Sequence, residues 1–242
     1  YGRAGLEDTL WKWTMQTKLR KKKVDSLPYG YEYSDLSFYT LKRLAEHKLK
    51  QPIEQFLNKN LYQTLGMSFL GYQPLNKFAA LDIVPTEYDR LFRKKTIRGT
   101  VHDQGAAMHG GVAGHAGLFS NANDLAKYLQ MHLQGGSYGG IRYFEKTTID
   151  TFTKAHFEGN RRGLGWDKKP DKPYSYTPSY FSDLSYGHSG FTGCVVWVDP
   201  ATETLVVFLS NRIHPSANNK KLILNHTRRK ILDLVHHSII PN

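Results

Sequence analysis

Apolar residues recur every three or four positions along much of the chain, and this spacing predicts amphipathic helices. We expect six of them, over residues 6–19, 37–49, 52–65, 120–133, 146–154 and about 216–237. Ser120 or Asn121 is a candidate N-cap for the fourth helix, and Gly66 and Gly135 are placed to end the third and fourth.

Two short apolar runs, at residues 193–198 and 204–210, predict paired β-strands. Residues 70–101 predict irregular structure, and residues 159–186 predict loops with short strands. The glycine-rich stretch 102–117 lacks the Gly-Lys-Ser/Thr ending of a phosphate-binding loop, so it predicts a tight backbone path packed beneath a neighbouring element. A strand pair before a terminal helix indicates an α+β fold, an antiparallel β-sheet flanked by helices.

Length and composition are those of a folded protein. The chain has 242 residues, of which 40% are hydrophobic, which is enough for a sizeable core. It contains no apolar run of 18 residues, so we expect no transmembrane segment, and no signal peptide is visible. Because the first residue is Tyr1 and not Met, we expect an internal fragment or a processed product.

The formal charge of +12 is concentrated in part near the N-terminus, in the run Arg20-Lys21-Lys22-Lys23. Such a run is typical of a solvated loop or of a surface that binds polyanions. No zinc-finger spacing or helix-turn-helix pattern accompanies it, so we expect no nucleic-acid partner. The single cysteine, Cys194, excludes an internal disulfide and is expected to be a small core residue on a buried strand.

Two short motifs carry candidate chemistry. Tyr33-Ser34-Asp35 precedes a predicted helix, and His188-Ser189-Gly190 precedes the predicted strand pair. Acyl transfer by serine requires a nucleophile, a base, an oxyanion site and groups that hold the substrate. Tyrosine acts as a base only where nearby cations favour its phenolate, since its unperturbed pKa is about 10. A simpler interpretation of the first motif is helix capping by Ser34 or Asp35.

These motifs resemble two of the three active-site motifs of the serine β-lactamase and penicillin-binding-protein superfamily. The likeness is to class C β-lactamases, esterases and D-Ala-D-Ala peptidases, and residues 109–120 and Asp124-Leu125-Ala126 also resemble that family. The resemblance implies a β-lactamase/transpeptidase-like fold with a helical subdomain. Residues 28–242 would form its C-terminal portion, and residues 1–27 would be a helical, basic segment of the same domain.

The third motif of this family is Ser-x-x-Lys, which supplies the nucleophile. No serine of the chain has Lys three positions later. We therefore expect a fold that is N-terminally incomplete, a missing partner segment upstream of Tyr1, and a fragment that is inactive in acyl transfer on its own.

The resemblance implies a role for each motif residue. Tyr33 would be the general base or a proton relay, and His188 would replace the Lys found in some members. Asp35 occupies the position of a substrate-binding Asn, which both donates and accepts, whereas an ionised Asp only accepts. A carboxylate beside Tyr33 would raise the pKa of its phenol, so ordinary β-lactam turnover is not expected.

The remaining motif residues would bind substrate. Ser189 would donate to a substrate carboxylate, Gly190 completes the motif, and the Phe191 backbone N–H would form half of an oxyanion hole. The residues His102, Asp103, His109 and His115 match no standard zinc spacing, so we expect no metal, and nothing in the sequence implies a cofactor.

The resemblance extends to β-lactamase-like modules of Bacteroidetes proteins that follow a family-three glycoside hydrolase similar to β-N-acetylglucosaminidases. It implies a small-molecule or peptidoglycan-derived substrate and a periplasmic, cell-envelope or secreted location. The alternative is a non-catalytic binding or scaffolding module attached to such a glycosidase, which Asp35 and the positive charge would favour.

Overall fold

The computed structural model describes residues 6–18 and 31–239 and combines helices with antiparallel sheets. The helices are α1 (Leu6–Gln16), α2 (Asp35–Leu49), α3 (Ile53–Leu57), α4 (Gln104–Met108), α5 (Ala122–Leu133), α6 (Lys146–Thr153), α7 (Lys221–Leu224) and α8 (Thr227–Ile239). The strands are β1 (Tyr88–Asp89), β2 (Lys95–Thr96), β3 (Ser137–Tyr138), β4 (Ile141–Arg142), β5 (Asp167–Lys168), β6 (Tyr186–Ser189), β7 (Val195–Asp199) and β8 (Thr204–Phe208). The basic run at residues 20–23 lies outside the described residues.

The main sheet has four antiparallel strands in the order β5-β6-β7-β8. Because side chains alternate between the faces of a strand, β7 contributes to two separate cores. Val195 and Trp197 face Leu232 of α8, and Val198 faces Leu129 of α5. Helices therefore cover the sheet on both faces, which confirms the predicted α+β architecture.

Most of the predicted helices are present, but the C-terminal one is divided. The expected helix from Ser216 to His237 is instead α7 and α8, separated at Asn225 and His226. His226 has a φ of 51°, in the left-handed region, and a right-handed helix cannot continue through that conformation. The third predicted helix is also irregular, since α3 continues into a π-helical turn over Asn58–Tyr62.

The glycine-rich stretch packs closely against helix α2 as predicted, since a Cβ at Gly114 would meet the Phe38 carbonyl oxygen. Three local details around this stretch and the hairpin differ from the predictions. The stretch 102–117 contains helix α4, whose N-terminus is capped by the Asp103 side chain. The sheet is larger than the predicted pair of strands, because the second motif is itself on strand β6. Cys194 lies just before β7 and is partly exposed, because the turn at residues 190–193 holds it at the rim of a cleft.

Helix α1 contacts α2 through ion pairs. Lys42 Nζ lies 3.0 Å from Glu7 Oε1, and Arg43 Nη1 lies 3.3 Å from Asp8 Oδ1. Leu10 is the buried residue of α1. In the described part of the chain, every helix is too short or too polar to cross a lipid bilayer.

Candidate functional site

The first motif lies at the N-terminus of α2. Ser34 is the N-cap, and its hydroxyl accepts a hydrogen bond from the Leu36 backbone N–H at 3.3 Å. Tyr33 precedes the cap and is 63% exposed, with the Arg162 guanidinium 5.7 Å from the centre of its ring. Asp35 is the first residue of the helix, where a carboxylate interacts favourably with the helix dipole. Ser34 therefore accounts for the cap, and Tyr33 has no such structural role.

The second motif is presented by strand β6, which packs closely on the sheet. A Cβ atom at position 187 would collide with the Val196 carbonyl oxygen and the Trp197 ring, so only glycine fits there. Gly187 lets β6 lie close against β7, and His188 and Ser189 are the last two residues of β6. His188 Nδ1 contacts the Ser189 carbonyl oxygen at 2.9 Å, which orients the imidazole.

A tight turn follows β6. The Gly190 N–H donates to the Cys194 carbonyl at 2.9 Å, and the Gly193 N–H donates to the Gly190 carbonyl at 2.9 Å. No acceptor among residues 6–18 and 31–239 takes the Phe191 N–H, so this donor is available to a bound oxygen atom. The Phe191 side chain is held between His102, at 5.4 Å between ring centres, and the Arg212 guanidinium, at 4.9 Å.

All six sequence-predicted site residues line one open cleft of about 2030 Å³. They are Tyr33, Asp35, His188, Ser189, Gly190 and Phe191. The two motifs lie 155 positions apart in the sequence, counted from Tyr33 to His188, and the fold brings them to the same cavity. Much of the remaining wall is apolar, including Phe69, Phe78, Leu118 and Leu209.

The surroundings of the two residues disfavour both the phenolate form of Tyr33 and the protonated form of His188. Partial desolvation by the surrounding protein and then the nearby Asp35 carboxylate raise the pKa of the Tyr33 phenol, although the residue is largely exposed, and Arg162 partly opposes that rise. Burial lowers the pKa of the His188 imidazole, the Ser189 carbonyl opposes this, and Arg162 reinforces it. His188 is therefore mainly neutral at neutral pH and does not carry a permanent charge as lysine would.

Arg162 is a site residue that the sequence analysis missed. Its Nη1 lies 3.4 Å from His188 Nε2, and its Cζ lies 5.7 Å from the centre of the Tyr33 ring. It occurs in a segment with no recognisable motif. A β-bridge between Arg162 and Asp167 of β5, together with the pairing of β5 with β6, brings it next to His188. The only signal in the sequence is that Arg162 follows directly after another arginine, Arg161.

A second group of polar side chains lies beside Asp35. Ligand atoms of Asp35, Asp103 and His115 lie within 4.8 Å of one another. His115 Nε2 contacts Asp103 Oδ1 at 2.9 Å, and this hydrogen bond lowers the pKa of the Asp103 carboxyl. Asp103 Oδ1 already accepts hydrogen bonds from His115 and from the Ala106 N–H. The sequence had not indicated that Asp35 joins the glycine-rich stretch in this way.

Comparisons with known proteins agree on the family. The Beta-lactamase family profile matches residues 3–227. A protein of Escherichia coli (strain K12) named "Putative D-alanyl-D-alanine carboxypeptidase" is 35% identical over 205 residues, which cover 78% of this chain and 47% of that protein. The chain thus spans about half the length of the curated relatives it matches.

Solved structures share the fold. A beta-lactamase from Mycobacterium bovis superimposes with a TM-score of 0.59 at 19% identity, covering 86% of this chain and 64% of that one. A penicillin-binding-protein homologue from Caulobacter crescentus gives a TM-score of 0.61 at 16% identity, covering 88% and 60%. With the profile match over nearly the whole sequence, these findings establish that the chain belongs to the beta-lactamase family.

Proposed function

We propose that this chain is part of a β-lactamase-like serine hydrolase of the esterase or peptidase type, which acts through an acyl-enzyme. The substrate would be a peptidoglycan-derived or small ester or amide molecule. The observation that carries this proposal is the meeting of Tyr33, His188, Ser189 and the Phe191 N–H in one cleft. These groups are a candidate base, a neutral hydrogen-bonding partner, a hydroxyl donor and an oxyanion donor.

In this proposal each group has a defined task. The Phe191 N–H donates to the oxygen that becomes negative when the serine nucleophile attacks the carbonyl. Tyr33 accepts a proton from the nucleophile or returns one to the leaving group, either directly or through the lysine of Ser-x-x-Lys. Because no serine of this sequence has Lys at the third following position, that pair would come from another part of the whole protein.

The peptidase interpretation draws support from the named Escherichia coli relative, and it implies a location in the cell envelope or periplasm. Asp35 supports a peptidase or esterase over an ordinary β-lactamase. Its carboxylate accepts hydrogen bonds but cannot donate to a substrate carbonyl as asparagine would. A carboxylate also opposes formation of the Tyr33 phenolate, which a fast β-lactam hydrolase would need.

A second candidate function is a non-catalytic binding or scaffolding module attached to a β-N-acetylglucosaminidase-like glycoside hydrolase. The net charge of +12 and the large apolar cleft favour it. Such a module would retain anionic wall polymer in a salt-dependent manner.

Covalent labelling of the full-length protein separates the two functions. The purified protein is incubated with a fluorophosphonate and, separately, with a penicillin, and its intact mass is measured. The proposed hydrolase forms a one-to-one adduct with the fluorophosphonate, and the penicillin adduct forms slowly. A folded protein that forms neither adduct but is retained on anionic wall polymer would be the binding module instead.

A further inference from the structure

Next to His188 and Tyr33, two arginines lie against a single buried carboxylate. Asp167 is completely buried, and its carboxylate lies 2.7 Å from Arg161 Nε and 3.5 Å from Arg162 Nη1. The Tyr176 hydroxyl also donates to Asp167 Oδ2, at 3.0 Å. Two guanidinium groups thus surround a single carboxylate, and one positive charge is left over.

The two arginines point to different places. The Arg161 guanidinium makes the shorter contact with Asp167 and lies 4.6 Å from the centre of the Tyr174 ring. The Arg162 guanidinium instead lies 5.7 Å from the Tyr33 ring centre and 5.9 Å from that of Tyr31. Arg161 therefore neutralises most of the Asp167 charge, and the remaining charge belongs to Arg162, which faces the first motif.

His188 does not add to this charge at neutral pH. Its Nε2 lies 3.4 Å from Arg162 Nη1, and two cations at that distance would repel each other. Arginine stays protonated across the pH range in which proteins are folded, so the proton is absent from His188 and not from Arg162. A lysine on β6 would supply both a hydrogen-bonding group and a permanent charge. Here His188 supplies the hydrogen-bonding group and Arg162 supplies the permanent charge.

We propose that Arg162 is a positioning residue that supplies beside Tyr33 the permanent positive charge that His188 lacks. In family members with Lys-Thr-Gly at the third motif, the lysine would provide that charge from the strand itself. Here Arg162 provides it from the loop before β5. The catalytic consequence rests on the proposed function, whereas the electrostatic effect on Tyr33 is a property of this chain alone.

The charged and titratable groups around Tyr33 make this effect specific. Asp35 and Tyr31, from its own segment, favour the neutral phenol, and so does Asp167 from β5. Arg162 opposes these groups and favours the phenolate. A unit charge about 6 Å away in a partly solvated site changes an ionisation constant by roughly three- to tenfold. When the proton leaves Tyr33 Oη, the phenolate that forms is stabilised by Arg162.

The ionisation of residue 33 tests the proposal directly. Difluorotyrosine is incorporated at position 33 in the full chain, so that the phenol ionises near neutral pH, and its titration is followed by fluorine NMR. In Arg162→Gln and Arg162→Met the ionisation constant should fall about three- to tenfold. Arg162→Lys should retain most of the native value. Arg142→Gln, which removes an exposed cation on β4 outside the cleft, should have no effect.

An unchanged ionisation constant in a folded Arg162→Gln or Arg162→Met variant would overturn the proposal. So would an Arg162→Lys variant that behaves like the neutral ones, because the effect would then not come from charge. If neither neutral variant folds, nitrogen-15 shifts of His188 in the unchanged chain at pH 7 decide the matter. A protonated imidazole would contradict the proposal, because His188 would then supply the positive charge itself. Neither measurement depends on acyl-enzyme formation, so a failed labelling experiment would leave this result intact.

Discussion

Asp103 Oδ1 lies 2.9 Å from Nε2 of His115 and also accepts a hydrogen bond from the Ala106 backbone N–H at 2.7 Å. One carboxylate therefore joins the two ends of the glycine-rich stretch and caps helix α4. The Tyr39 ring packs against His115, with 5.0 Å between ring centres, so the pair also contacts α2. This contact fixes the glycine-rich stretch beneath the helix that carries the first motif.

We predict that Asp103→Ala destabilises the protein by about 1–3 kcal/mol, because it removes a helix cap and leaves a buried imidazole without its partner. Asp103→Asn should cost less, since asparagine also caps helices and accepts from His115. Urea unfolding measures both, with Asp82→Asn as the control at an exposed carboxylate. Equal stabilities for Asp103→Ala and the control would show that the contact has no structural role.

The pKa of Asp103 also predicts a pH dependence. The hydrogen bond from His115, with that from Ala106, lowers the pKa of this carboxyl in spite of burial. Its contribution to stability is thus present above the ordinary pKa of aspartate, about 4, and is lost as the pH falls through the lower folded value. In Asp103→Asn this acid-side loss should be reduced.

We predict a separate loss of stability in mild acid, caused by protonation of His132. It is buried among Tyr128, Trp166 and Tyr186, and burial lowers its pKa to about 4. The unfolded chain binds the proton near pH 6.5, so stability is complete above that pH and falls between about 6.5 and 4. The difference corresponds to on the order of 3 kcal/mol.

His132→Phe should remove this part of the pH dependence, because phenylalanine fills the aromatic cluster without a titrating group. Thermal unfolding at pH 7 and pH 5 measures it, and the partly exposed His156, which lies outside the aromatic cluster, provides the control as His156→Phe. A wild-type protein that is equally stable at both pH values would disprove the assignment.

We predict that strand β6 requires glycine at position 187, because a larger residue would collide with β7. Gly187→Ala should cost about 1–3 kcal/mol or more, because the new methyl group meets the Val196 carbonyl and the Trp197 ring. Gly71→Ala, where no atom lies within 4 Å of the added carbon, should change stability little. Denaturant midpoints of the two variants are the comparison, and similar midpoints would mean that β6 does not pack as described.

The repeating elements of the fold could be predicted from the sequence. Helix α5 follows its apolar spacing, with Asn121 capping it and Gly135 beyond its end, and β7 and β8 follow their apolar runs. The signals failed where tertiary contacts decide. Strand β6 has only four residues, two of them polar, and it is a strand because β7 pairs with it. The left-handed conformation at His226 has no sequence signal, because histidine does not require it.

In the site too, some residues could be predicted from sequence motifs, whereas others are positioned by tertiary contacts. The six motif residues were predicted because their types and order are those of a known family, and the cleft brings them together. Arg162 and the Asp103–His115 pair were not predicted as neighbours of Tyr33 and Asp35. Long-range packing positions them, and neither hydrophobic periodicity nor local spacing reports on it. The roles of all these residues in a reaction remain predictions that require the full-length protein.

Asp35 predicts a shift in the pH profile of that protein. Because the Asp35 carboxylate raises the pKa of Tyr33, Asp35→Asn should lower it. If acylation requires the phenolate, the rising limb of the acylation rate moves to lower pH. Below the original midpoint the rate should then increase by about two- to tenfold. Fluorophosphonate labelling rates between pH 6 and 9 measure this, and Glu32→Gln is the matched control. A limb that moves to higher pH would contradict the electrostatic account.

The rate of fluorophosphonate labelling in full-length Tyr33→Phe tests the central claim most directly, with Tyr31→Phe as its control. Both tyrosines are exposed, and both lie within 6 Å of the Arg162 guanidinium, but only Tyr33 lies in the first motif and lines the cleft. We predict that Tyr33→Phe slows labelling by about 10²–10⁴-fold, as loss of a general base does, while Tyr31→Phe labels at nearly the native rate. Equal rates for native protein, Tyr33→Phe and Tyr31→Phe would contradict the assignment of Tyr33 as the base of an acyl-transfer site.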